Sequence, residues 1–159
     1  EITERDWSSD VCSSDLIYDF PRPMINSGDF NFSFSGLKSH VINLHHNLEQ
    51  RHEKYETADF CRSFQEAVTD VLVSKTKEAA EKYQVKQVIV AGGVAANRGL
   101  RKKISEAITD MPVFFPAIEY CTDNAAMIAV AGYFKYKKKG HGDGFMLNGS
   151  SRMDLSEEE

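Results

Sequence analysis

Most of the chain carries a readable pattern of apolar and polar positions. Leu37, Val41, Leu44 and Leu48 recur at helical spacing and predict a first helix. Glu53 to Thr57 is polar and reads as a connection. Phe60, Phe64, Ala67, Val68, Val71, Leu72 and Ala79 predict a long amphipathic helix from Asp59 to Tyr83. Val88 to Ala91 is a short apolar, β-branched run, as expected of a strand covered on both faces. Leu100, Ile104 and Ile108 predict a helix over Asn97 to Thr109, with Asn97 at its N-cap. Val113 to Phe115 predicts a short strand stopped by Pro116. Ala125 to Gly132 is a helix body of small residues, which implies close packing against it. Earlier, Pro21-Arg-Pro23 reads as extended chain. Asn31 to Gly36 alternates aromatic with small polar residues, which predicts a further strand ended by Gly36. Strands alternating with helices make this an α/β chain.

The most informative turn is Gly92-Gly93, between the central strand and the helix at Asn97. Adjacent glycines permit positive φ and close approach of a ligand to the backbone. A strand, a glycine turn and a helix N-terminus together can meet an anionic group, although a plain tight connection uses the same residues. A second junction is Cys121-Thr-Asp-Asn-Ala-Ala-Met127. Thr122 or Asp123 can cap the last helix. Asp123 then places a carboxylate at the sheet edge that carries Gly92 and Gly93, where open α/β sheets bind ligands.

Arg98, Arg101, Lys102 and Lys103 read as the solvated side of their helix, with phosphate contact as the sharper alternative. The four lysines between Lys135 and Lys139 suit a helix C-terminus and also RNA phosphates. His40, His45, His46 and His52 have no carboxylate at ligand spacing, so solvated or interfacial histidines are expected.

Composition narrows the classes. The 159 residues are 42% hydrophobic and 27% charged, ordinary for a globular protein. No apolar run approaches the ~18 residues of a membrane span. Cys12, Cys61 and Cys121 are scattered, which fits a reducing compartment and gives no zinc spacing. Net charge is −5, so no global basic field announces nucleic acid.

The opening is anomalous. Asp6 to Leu16 has no period, an isolated Trp7, and the order of a translated sequencing adapter. Residues 1–16 are therefore read as a non-native segment, making no contacts with the domain. They hold five acidic residues and one basic; without them 18 Lys and Arg face 19 Asp and Glu, a net charge of −1. The remainder divides into a domain over 17–152 and a polar tail over 153–159.

Phe32-Ser-Phe-Ser-Gly-Leu-Lys38, Ser63-Phe-Gln-Glu66, Ala91-Gly-Gly-Val-Ala-Ala-Asn97 and Cys121-Thr-Asp-Asn-Ala-Ala-Met127 follow one another in this order. Together they resemble the C-terminal half of the tRNA N6-adenosine threonylcarbamoyltransferases (the TsaD/Gcp family, formerly named O-sialoglycoprotein endopeptidases), in the bacterial or mitochondrial form. The resemblance implies the C-terminal lobe of an actin-like, Hsp70-like (ribonuclease H-like) fold, with the N-terminal lobe missing.

It also implies transfer of a threonylcarbamoyl group from threonylcarbamoyl-AMP to N6 of the adenosine beside the anticodon of tRNA. Asp123 matches a metal ligand in a site for iron or zinc, whose two histidines belong to an H-x-x-x-H helix absent from this chain. Gly92, Gly93 and Asn97 match positions that hold the adenylate. tRNA and the TsaB-like and TsaE-like proteins of the same pathway are the implied partners. On this reading the chain is part of a longer protein, and alone it is inactive and binds metal weakly. A non-catalytic relative, or a small-molecule kinase or carbamoyltransferase on the same fold, are the alternatives.

Overall fold

A computed structural model describes residues 18–146, 148 and 149. The segment 1–16 and the tail 153–159, with the expectations attached to them, lie outside the described residues.

Among the described residues four helices and one small parallel sheet follow in chain order. They are α1 (Ser35–Gln50), α2 (Thr57–Lys82), β1 (Val88–Ile89), α3 (Arg98–Ala107), β2 (Val113–Phe114) and α4 (Ala125–Lys139). Short 3₁₀ turns, Gly93–Ala96 and Ile118–Tyr120, follow the two strands. β1 and β2 pair in parallel, Val88 opposite Val113 and Ile89 opposite Phe114, so β1, α3 and β2 form one βαβ unit. Amphipathic spacing places α2 and α3 within two residues of their expected limits, whereas α4 runs on past Gly132 to Lys139.

Among the described residues two apolar clusters form the core, and α2 serves both. Phe20, Leu37, Leu48, Phe60 and Ala67 form the first. Phe20 and Phe60 meet edge to face at 5.2 Å between ring centres, and Tyr18 meets Phe60 at 5.3 Å, separations at which aromatic pairs attract beyond simple burial. Leu100, Ile104 and Ile108 form the second, packed by Leu72 and Val73 of α2 and by Val88, Val90, Val113 and Phe115 around the sheet. The Leu100–Ile104–Ile108 period therefore faces inward as expected.

An ion network joins the same elements. Lys103 of α3 reaches Glu66 at 2.5 Å and Asp70 at 2.6 Å on α2, and Arg22 reaches Asp70 at 3.1 Å. Burial alone would raise the Asp70 pKa. The bonds and charges of Lys103 and Arg22 outweigh it and hold this carboxyl below the ordinary 3.8. Burial likewise opposes the Lys103 charge, and Asp70 and Glu66 overcome it and raise that pKa.

Several expectations are corrected. Residues 31–34 form no strand, and Gly36 lies inside the first turn of α1. The backbone just ahead of them serves a buried lysine instead. Lys75 Nζ donates to Ser27 Oγ at 2.8 Å, Asp29 O at 2.7 Å and Asn31 O at 2.9 Å. The central strand is covered on one face only: Val88 and Val90 are half-buried, whereas Ile89 and Phe114 are exposed. The small-residue helix α4 buries none of its residues, so no described element packs closely on it.

Candidate functional site

The two junctions singled out in the sequence face one another across a cleft of about 790 Å³. Ala91, Gly92 and Gly93 form one wall. Cys121, Thr122, Asp123 and Asn124 form the other, with Pro116, Tyr120 and the first two turns of α4 closing the base. Parallel pairing creates this arrangement. Both strands point the same way, so the turns that follow them emerge at one edge of the sheet.

The glycine wall is shaped by one conformational requirement and one open space. Gly92 adopts φ 92°, ψ 175°, a region that side-chain-bearing residues avoid. Gly93 has no positive φ, and a Cβ there would meet no atom within 4 Å. Its bare backbone thus leaves room in the cleft. The chain then makes one 3₁₀ turn, closed by Ala95 N–H to Gly92 O at 3.0 Å, and reaches Asn97.

Asn97 caps α3 as expected: its Oδ1 accepts from Leu100 N–H at 2.9 Å. Its Nδ2 donates to Gln65 Oε1 at 2.9 Å. Asn97 is half-buried and is not among the cleft-lining residues. The geometry brings together Gly92, Gly93 and Asp123, and sets Asn97 behind the glycine turn.

On the opposite wall the cap of α4 is neither Thr122 nor Asp123. Asn124 occupies the N-cap and accepts from Met127 N–H at 2.9 Å. A side-chain cap needs an oxygen one residue before the helix and an amide three residues on, and Asn124 alone has that spacing. Asp123 is exposed, and it is the one carboxylate among the lining residues. Among the described residues no group of three His, Cys, Asp or Glu side chains could hold a metal ion. Asp123 is a single donor, and the described donors do not by themselves make a metal site. His45 lies 2.7 Å from Tyr55 Oη, an interfacial setting as expected, and 3.6 Å from Glu49, so against expectation a carboxylate does stand one helical turn from a histidine.

Two basic residues depart from the expected solvated face. Arg101 and Lys103 are both half-buried. Arg101 donates to Ala95 O at 2.5 Å and to Pro116 O at 2.6 Å, and its guanidinium lies 5.1 Å from the Phe115 ring centre. A signal exists in the sequence: position 101 is four after Asn97 and three before Ile104, so it shares their face. Lys102 is exposed, 3.9 Å from Glu106, as a solvated helix face predicts. Gln65 lies within one of the ordered motifs, but sequence reasoning gives it no role. A Cβ on Gly99 would stand 2.9 Å from Gln65 Nε2 and 3.2 Å from Asn97 Oδ1, so the small residue at 99 admits the Gln65–Asn97 pair.

Comparison with known proteins finds relatives of this sequence. Residues 5–130 match the model of the tRNA N6-adenosine threonylcarbamoyltransferases. A protein of that name from Streptococcus pneumoniae strain CGSP14 is 54% identical over 132 residues, covering 83% of this chain and 39% of the relative. Its counterpart in S. pneumoniae serotype 19F strain G54 is 56% identical over 123 residues, covering 77% of this chain and 37% of the relative. The chain thus spans about two fifths of the length of the curated relatives it matches. No helix among the described residues is long and apolar enough to cross a membrane.

Proposed function

We propose that this chain, which belongs to the tRNA N6-adenosine threonylcarbamoyltransferase family, contributes one side of a site that transfers a threonylcarbamoyl group from threonylcarbamoyl-AMP to N6 of an adenosine in tRNA. The observation that carries the reading is the meeting of Gly92-Gly93 and Asp123 across one cleft. In the reaction a C–N bond forms to the adenosine amine and the C–O bond to the phosphate breaks. AMP leaves, and the amine gives up a proton. Such an acyl transfer is helped by groups that fix the adenylate and by donors placed where charge develops. The Gly92-Gly93 backbone is open enough to lie against the adenylate. Asn97, at the end of the same turn, holds that backbone in register with α3.

Asp123 supplies one donor toward a divalent metal, iron or zinc, with the remaining donors outside the described residues. Such an ion, when bound, supplies Lewis-acid charge stabilisation. The fold on this reading is one lobe of an actin-like, ribonuclease H-like enzyme in the cytoplasm. TsaB-like and TsaE-like proteins are its partners, and the tRNA approaches the open cleft.

The test is a graft. Residues 18–131 replace the matching segment of the S. pneumoniae relative, and threonylcarbamoyl transfer to tRNA is measured. Transfer well above that of the relative lacking the segment supports the reading. A folded graft with no transfer overturns it. The 159-residue chain alone is expected to transfer nothing, since its open cleft does not enclose the adenylate.

A further inference from the structure

We propose that Arg101 is a positioning residue that couples the two walls of the cleft, setting the distance between the Gly92-Gly93 turn and the Thr122-Asp123 loop. Its Nε donates to Ala95 O, inside the 3₁₀ turn that Gly92 begins. Its Nη2 donates to Pro116 O, where the chain leaves β2 for the other wall, and to Cys121 Sγ at 3.2 Å. Cys121 is buried, and its thiol donates onward to Ala117 O at 3.6 Å. One planar guanidinium thus grips three segments at fixed angles, which a single point charge cannot do. The Phe115 ring completes the seat.

None of these partners carries a charge. Lys103 and Arg22, by contrast, are matched to carboxylates. A pairing of Arg101 with acidic side chains would make it a strut of the ion network. Its use on backbone carbonyls of both walls makes it a spacer of the cleft. The functional meaning of that spacing rests on the proposed reaction, in which one substrate touches both walls; the spacing itself does not.

The test is backbone hydrogen exchange of the full 159-residue chain, resolved by segment, in Arg101→Met and Arg101→Lys. Arg101→Met is expected to speed exchange about tenfold or more in both 92–97 and 117–124. Segments of the Phe20–Leu37–Phe60 core should stay within about twofold. Arg101→Lys keeps the charge but can grip only one wall at a time. It is expected to restore the thermal midpoint while leaving at least one wall fast. If Arg101→Met does not fold, Arg101→Lys alone decides. Loosening of neither wall, or equal acceleration across the whole chain, overturns the inference. So does full rescue of both walls by lysine, which would make any cation there sufficient. Exchange is read without substrate, so an inactive graft with coupled walls would sink only the reaction assigned above.

Discussion

Asn97 has two separable duties, and substitution can measure each. Its Oδ1 caps α3 through Leu100 N–H, and its Nδ2 bonds Gln65. Loss of an N-cap costs ~1 kcal/mol, and loss of one half-buried hydrogen bond about the same again. Asn97→Ala loses both, so a destabilisation of about 2 kcal/mol is expected. Asn97→Ser keeps a capping oxygen but is too short to reach Gln65, so about 1 kcal/mol is expected. Asn97→Asp keeps the cap and adds a charge that the helix N-terminus favours by about 0.3–1 kcal/mol. The Gln65 amide can rotate to present Nε2 to the new carboxylate, so Asn97→Asp should lie within ~0.5 kcal/mol of the parent. Urea titrations of the purified chain give these differences, and thermal midpoints should follow at roughly 4 °C per kcal/mol. In decreasing stability the predicted order is the parent together with Asn97→Asp, then Asn97→Ser, then Asn97→Ala. An Asn97→Asp variant as unstable as Asn97→Ala would refute it, because neither duty requires an amide once Gln65 can turn.

Two further outcomes follow from the buried charges. Lys75→Met, which removes four hydrogen bonds to the loop carrying Ser27, Asp29 and Asn31, one of them to the Asp29 carboxylate, should cost ~2–4 kcal/mol in urea titration; a loss below ~1 kcal/mol would show that water takes over those acceptors freely. The Asp70 pKa is lowered in the folded chain, so its stabilisation is fully present above the ordinary 3.8 and is lost as pH falls through the lower folded value. Asp70→Asn should therefore be less stable at neutral pH and lose less between neutral pH and about pH 3 than the parent; parallel profiles would contradict this.

Helix spacing was legible because it depends on local geometry. Leu37, Leu48, Leu100 and Ile104 are buried where period 3.6 puts them. Strand spacing was less so, because alternation describes a surface and says nothing about a partner. Phe32 and Phe34 alternate with serines as a strand would, and their rings stack at 6.4 Å. Yet the neighbouring carbonyls of Asp29 and Asn31 go to Lys75, which lies 46 and 44 residues further along. A buried lysine is expensive to desolvate unless its donors are satisfied, and the 27–31 loop satisfies them. No local pattern announces that need. The small residues of α4 are a different case: no described element covers them. They permit close packing but do not require it, and α4 presents Ile128, Val130, Tyr133 and Phe134 to the outside.

The helix caps beside the cleft were legible to different depths. Asn97 was assigned from cap chemistry, and the bond to Leu100 N–H is the one that chemistry demands. The same rule, applied to Cys121-Thr-Asp-Asn124, put the cap at Thr122 or Asp123, one or two residues early, because no apolar period fixed where the helix begins. With α4 starting at Ala125, only Asn124 meets the amide three residues on. Its Nδ2 also turns back to Thr122 O at 2.9 Å, which folds the preceding loop. Asp123 is released by this arrangement. A carboxylate used as a cap would be committed to backbone amides, and its removal would loosen the helix. With Asn124 in that place, the Asp123 carboxylate is left at the cleft surface. The two walls thus begin their helices in the same way, asparagine to the amide three residues ahead at 2.9 Å. They differ in what the cap leaves exposed: bare glycine backbone on one side, a carboxylate on the other.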